Sequence, residues 1–453
     1  MTLTRIANRN IWSIAWPMML TSMSAPLLGL VDTAMLGHLE SARYLAAVAI
    51  GANVIALLYW SFGFLRMGTT SLVSQSLGRQ QLASQQNIVA DRSSETDAVV
   101  FRSLIIAAVC GIILALVMPL IVRWIVAFMN ASDNIAGLAA EYIRIRLYAA
   151  PAVLCTYAIA GWLVGTQRAK GALALVLTSN IINIILDVLF IMGLGLGSHG
   201  AALASVIAEY CSLLLGVFII WRHSKLFNIA HWQHWLKRQA FIQAIAMNGH
   251  LLVRTLLLLF ALNFFTAQGA AINDNTLAAN AILLQLALFS AYVMDGFSYA
   301  AEALCGESVG RKNATAFHRY AKICGGWILL TAVVFTAIFS LAGTAIVQWF
   351  TNVNPIVEIA NQHIIWLVLM PIAGALAYLL DGVFIGAGHT RTMHLAMWLA
   401  VVGIFLPIWW LTQSWQNNGL WFAFICFNIS RGLSLAYYYP TILKKLNALQ
   451  IKN

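Results

Sequence analysis

The sequence predicts an all-α integral membrane protein of twelve transmembrane helices, arranged as two six-helix lobes. Three observations carry that expectation. Of the 453 residues, 61% are hydrophobic and 9% are charged, against roughly 45–50% and 25% in soluble globular chains. A water-soluble domain with so little charge could not cover its apolar surface. Apolar runs of about 20 residues, the length a helix needs to cross a bilayer, recur along the whole chain. Residues 45–79 also align without gaps onto 277–311, pairing Leu45 with Leu277, Ser76 with Ser308, Gly78 with Gly310 and Arg79 with Arg311. The runs are continuous, which excludes a transmembrane β-barrel, whose strands alternate over about ten residues.

Taken in order, the first span covers 12–36. Arg5 and Arg9 precede it, but its apolar stretch is too long for a signal-peptide core and contains Asp32, so it reads as an uncleaved helix. Spans follow at 45–77, 99–128, 142–165, 171–194 and 200–221, completing an N-terminal lobe over 1–222. Residues 223–240 form a connection in which Trp232, Trp235, Leu236, Lys237 and Arg238 suit an amphipathic segment at the cytoplasmic interface. His231 and His234 there have a spacing seen in zinc sites, but without Cys or carboxylate neighbours they read as interfacial histidines, and no metal is expected. The C-terminal lobe, 241–453, repeats the pattern at 243–267, 277–309, 321–349, 362–386, 393–412 and 418–440. A second echo pairs Pro151 with Pro371 and Gly165 with Gly386. Six helices repeat as six in the same orientation, a parallel repeat of the kind that places a cavity between transporter lobes.

Charge sets the orientation. Arg79, Arg168, Lys170, Arg222, Lys237, Arg311, Lys312, Arg391, Lys444 and Lys445 fall on one side, whereas Arg43, with Arg123, Arg144 and Arg146 near span ends, falls on the other. The positive-inside rule then puts both termini in the cytoplasm. The net charge of +11 is scattered over loops instead of gathered on one face, so nucleic acid is not an expected partner. The six cysteines lie within or near apolar spans without a CxxC pair and read as small core hydrophobes.

Carboxylates inside spans are costly and mark ion or substrate paths. Asp32, Asp187, Glu209, Asp295, Glu302 and Asp381 lie within spans, with Glu307 at a cytoplasmic edge. The bland alternative for each is an acid that locks helices together. Asp32 and Asp187 lie about 20 and 16 residues into their spans from the cytoplasm, so at about 1.5 Å per residue both reach the outer half. Asn180, Asn183 and Asp187 share one helix face, with Ser205 and Tyr142 expected at a similar layer. By repeat symmetry Asp32 and Asp187 map near Phe264 and Ile408, so this candidate cation site belongs to one lobe. Pro26, six residues before Asp32, removes a backbone hydrogen bond and makes a hinge in the first span. In the other lobe Arg254 could neutralise Asp295, Glu302 or Asp381.

The segments GLVDTAMLGHL (29–39), SNIINIILDVLFIMGLG (179–195), GAALASVIAEY (200–210), AYVMDGFSYAAEALCGESVG (291–310) and LLDGVFIGAG (379–388) resemble those of the multidrug and toxic compound extrusion (MATE) family, within it the DNA-damage-inducible F branch. The resemblance spans essentially the whole chain. It implies a V-shaped pair of lobes in the inner membrane of a bacterium, cation-coupled export of small amphiphilic or cationic drugs, membrane lipids as surroundings, a monomer, and no cofactor beyond the coupling ion. It assigns coupling to Asp32, Asn183, Asp187, Ser205 and Tyr142, with Asn180 one turn away. Asp381 matches an acid also carried by the sodium-coupled branch, whose span-7 glutamate has no counterpart here; Arg254 is the charged residue instead. That departure favours protons over sodium. A lipid-linked precursor flippase is the competing reading, and it would call for a more cationic centre than Arg66, Arg254 and Arg431 supply. Neither GxGD nor HExxH occurs, so an intramembrane protease is not expected.

Overall fold

With no water to satisfy them, backbone N–H and C=O groups inside a bilayer must bond within their own segment, and a chain this apolar therefore resolves into helices. The computed structural model describes residues 2–37, 42–86, 93–128, 133–224 and 235–451. Side chains of residues 25–37 lie outside that description, and so do His231, Trp232 and His234. The helices are α1 (Thr2–Gly37), α2 (Ala42–Ser61), α3 (Phe64–Gln85), α4 (Ser93–Phe128), α5 (Asp133–Leu147), α6 (Ala150–Gly165), α7 (Ala169–Asp187) and α8 (Gly197–His223), then α9 (Arg238–Ile272), α10 (Asp274–Gly310), α11 (Ala314–Phe350), α12 (Asn354–Gln362), α13 (Ile364–Gly386), α14 (Thr390–Trp398), α15 (Leu406–Leu411) and α16 (Gln416–Ile451). Among the described residues, ten helical stretches are long and apolar enough to span a membrane, or eleven with one bent pair taken as a single span. The 36-residue α1 is a further long helix.

Four spans depart from straight helices. The stretch expected at 142–165 is broken: α5 and α6 meet at 51°. Pro151 sits in the first turn of α6, where a missing N–H costs nothing. The stretch at 45–77 is interrupted between α2 and α3, where Phe62 and Gly63 bond back to the carbonyls of Tyr59 and Trp60, both at 3.0 Å. Two spans carry π-helical turns, Val188–Gly193 directly after Asp187 and Leu399–Phe405 between α14 and α15. Gly195 and Gly197, with φ of 66° and 54°, make the turn into α8 in a conformation that side chains resist.

The chain divides into two compact units, one of Met23–Val73 with Val89–Ile245, the other of Met1–Ser22, Ser74–Ile88 and Ala246–Asn453. In the first, α7 packs on α8, α4 on α6 and α2 on α5. Trp235 is buried against α4, its ring tilted against Phe101 and its carbonyl accepting from Arg102 Nη1 at 3.1 Å. In the second, α10, α11 and α13 form the core of the bundle. Gly382 and Gly386 let α13 lie directly on α10: a methyl at either would overlap the carbonyl of Ser298 or Glu302. Small residues at such contacts allow the van der Waals packing that holds membrane helices together. Trp12 of α1 packs edge-on against Phe297 and Trp327, and Trp327 Nε1 donates to Asn8 Oδ1 at 2.9 Å. Leu120, Trp124, Leu341 and Trp349 are more than three-quarters exposed, as lipid-facing residues should be.

Candidate functional site

The polar face of α7 is buried, not lipid-facing. Asn183 and Asp187 are each 1% exposed, and one helical turn separates them. Asn183 meets Ser205 of α8, its amide 3.1 Å from Ser205 Oγ. Its orientation follows from its neighbours: with Nδ2 turned to Asp187 it donates to Oδ2 at 3.1 Å while its oxygen accepts from Ser205 Oγ. Ser205 Oγ is also 3.1 Å from the Ala201 carbonyl of its own helix. The π-helical turn begins immediately beyond Asp187, and such bulges concentrate at functional sites.

Asn180, on the same face, donates through Nδ2 to the Ser24 carbonyl of α1 at 3.4 Å. At about 1.5 Å per residue, Asp32 lies about 12 Å along α1 beyond Ser24 and Asp187 about 10 Å along α7 beyond Asn180. The side chains of Pro26 and Asp32 are outside the described residues. Tyr142 is buried on α5, with its ring lodged against Gly51 of α2.

One turn along the α7–α8 seam, Ser179 hydrogen-bonds Glu209, which also faces the positive charge of Arg146. Arg146 is tied in turn to Tyr59, whose hydroxyl donates to its carbonyl at 2.8 Å. Further along, Ser212 Oγ donates to the Leu175 carbonyl at 2.9 Å. Polar pairs therefore line this seam from Asp187 to Ser212.

The second unit arranges its acids differently. Asp381 of α13 is held by two guanidinium groups: Arg254 Nη2 of α9 and Arg431 Nη2 of α16 both donate to Oδ2, the latter at 2.7 Å. All three residues are at least 90% buried, and Arg431 Nη1 also donates to Asn428 Oδ1 at 3.2 Å. Arg254 was the basic residue expected to neutralise an acid here; Arg431, a mid-span arginine in the same half of the sequence, was the signal for its second partner. Asp295 is half-buried on α10, close to Tyr292 and Tyr378. Glu302 is 1% exposed, and Glu307 pairs with Arg311 at 3.1 Å. Phe264 and Ile408, the repeat counterparts of Asp32 and Asp187, pack in an apolar cluster where Phe264 meets Phe405 and Trp409 edge-on. Among the described residues no three His, Cys, Asp or Glu side chains converge as metal ligands.

The chain matches the MatE family model over residues 17–189 and 251–412. It is 35% identical to DNA damage-inducible protein F of Escherichia coli K12, covering 95% of this chain and 91% of that protein. It is 23% identical to a probable multidrug resistance protein NorM of Bacillus cereus, covering 90% of each. Its fold matches the crystal structure of the Vibrio cholerae MATE transporter VcmN in the bent form with a TM-score of 0.87, at 19% identity over 99% of both chains.

Proposed function

Since the chain belongs to the MatE family and is therefore a transporter, not an enzyme, we propose that it exports amphiphilic, cationic drugs across the inner membrane of a bacterium in exchange for protons. The observation that carries the choice of ion is the contrast between the two acid sites. A metal ion such as sodium needs several oxygen donors facing an open position. At Asp381 one carboxylate already serves two tethered guanidinium groups, and a further cation there would be repelled. Asp187 instead has the neutral Asn183 beside it, itself bonded to Ser205, and such an amide can accompany either the charged or the protonated carboxyl.

The exchange then runs through Asp32 and Asp187. Ionised, the carboxylates hold a cationic substrate by charge. A proton arriving from outside neutralises one of the two carboxylates, the hold on the substrate weakens and it leaves, and a hinge at Pro26 lets the outer part of α1 repack around the neutral acid, a two-state element biased by one proton. Loss of the proton to the cytoplasm restores the starting state. The name of the NorM relative, a probable multidrug resistance protein, supports a broad substrate class.

The test is reconstitution into liposomes with an imposed pH gradient and a fluorescent cationic drug. Drug movement should persist in sodium-free medium, acidify the appropriate compartment, and collapse when a protonophore dissipates the gradient. Strict dependence on sodium would overturn proton coupling and leave the export reading standing.

A further inference from the structure

A crevice of about 270 Å³ opens between α11, α13 and α16 in the second unit. Its floor is apolar, made by Leu376, Leu379, Leu380 and Ala436, and its rim carries His318, Lys322 and Tyr439. All three helices bring the same end to this place. His318 and Lys322 lie in the first turns of α11, the leucines lie within about three turns of the end of α13, and Tyr439 is followed by Pro440, Lys444 and Lys445. That is the basic end of the bundle, the one the positive-inside rule assigns to the cytoplasmic leaflet.

We infer that this crevice is a binding site for an anionic phospholipid of the cytoplasmic leaflet, with one acyl chain on the leucine floor and the phosphate at Lys322 and His318. Shape supports the chain. Gly325 brings α11 against Leu379, and Gly432 brings α16 against Leu376, so the helices touch at the deep end and part towards the rim. The volume falls below the roughly 300–1,000 Å³ of pockets that enclose a whole drug-sized ligand, and suits a single chain lying in a groove open to lipid.

Charge supports the headgroup. Lys322 has neither a hydrogen bond nor an ion pair among the described residues, and Arg319 is likewise unpaired beside it. The Tyr439 hydroxyl and His318 Nδ1 are 3.0 Å apart, which fixes the ring at the rim. The three helices that wall the crevice contain one acid between them, Asp381, and it is held by Arg254 and Arg431. No carboxylate of these three helices therefore competes with a phosphate for Lys322. Basic pockets between transmembrane helices on this side of a membrane are the expected seats of anionic headgroups.

The test is native mass spectrometry of the detergent-purified full chain, titrated with phosphatidylglycerol or phosphatidylcholine of identical acyl chains. Phosphatidylglycerol should be retained at least about fivefold better, and Lys322→Gln should remove about that factor. Ala436→Phe, which fills the floor from a partly exposed position, should weaken phosphatidylglycerol retention with Lys322 intact. Free glycerol phosphate should not displace the lipid. Equal retention of the two lipids, unchanged retention in both variants, or displacement by glycerol phosphate alone would each overturn the assignment. If a variant fails to fold, the wild-type lipid ratio and the displacement arm decide it.

Discussion

Asp381 offers the sharpest test of how this bundle is held together. Asp381 is 8% exposed, and its two arginine partners are 5% and 4% exposed. Replacing it with Asn removes the only negative charge of the trio and leaves two guanidinium groups facing each other in a dry interior. Losing one partner of a buried ion pair costs about 3–5 kcal/mol. Arg254→Met is milder, because the Asp381–Arg431 bond at 2.7 Å survives and one like-charge repulsion disappears; the loss is at most that of a charged hydrogen bond, about 1.5–3 kcal/mol. The double variant Arg254→Met/Asp381→Asn leaves one unpaired arginine where the single Asp381→Asn leaves two. It should therefore be no less stable than Asp381→Asn alone, a strong departure from additivity. Detergent unfolding is read as an apparent melting temperature at a fixed scan rate. The expected order is wild type, Arg254→Met, the double variant, then Asp381→Asn. Equal losses for the two single variants, with a double variant that sums them, would refute the shared-carboxylate account.

At matched surface expression, Asp187→Asn and Asn183→Ala should each reduce drug efflux more than Asp295→Asn, measured as accumulation of a fluorescent drug in cells; the reverse ranking would move the coupling site to the second unit. Asp32→Asn should fold and lose active efflux, and Pro26→Ala should keep efflux at reduced turnover; wild-type export by Asp32→Asn would make the acid structural. Gly386→Ala should lower the apparent melting temperature, because the new methyl meets the Glu302 carbonyl and overpacking costs about 1–3 kcal/mol; an unchanged melting curve would mean that α10 and α13 part easily.

The all-helical, multi-span character of the chain could be read from hydropathy, because a bilayer leaves the backbone one practical solution for chains of this composition. The polar face Asn180, Asn183 and Asp187 was legible for the same reason that any helix face is, by its spacing of three and four residues. What spacing could not supply was partnership between distant helices. Nothing local to α13 says that Asp381 faces Arg431 as well as Arg254, because that depends on how α9, α13 and α16 pack. The break between α5 and α6 was equally hidden, since hydropathy records length without direction. The π-helical turn after Asp187 was invisible too, as one extra residue per turn leaves no mark on composition.

The pairing of Arg254 with Asp381 joins residues 127 positions apart, and this has a consequence for biosynthesis. Chains are made from the N-terminus, so α9 must enter the membrane while its counter-ion has yet to be translated. An arginine at the centre of a span costs about 2.5–3.5 kcal/mol on insertion scales. The stretch Leu251–Phe265 carries eleven Leu, Val and Phe residues, each favouring insertion by about 0.3–0.6 kcal/mol, which is enough to carry the arginine in alone. The dense leucine run around Arg254 thus serves the nascent chain at a stage when the finished structure cannot yet help it.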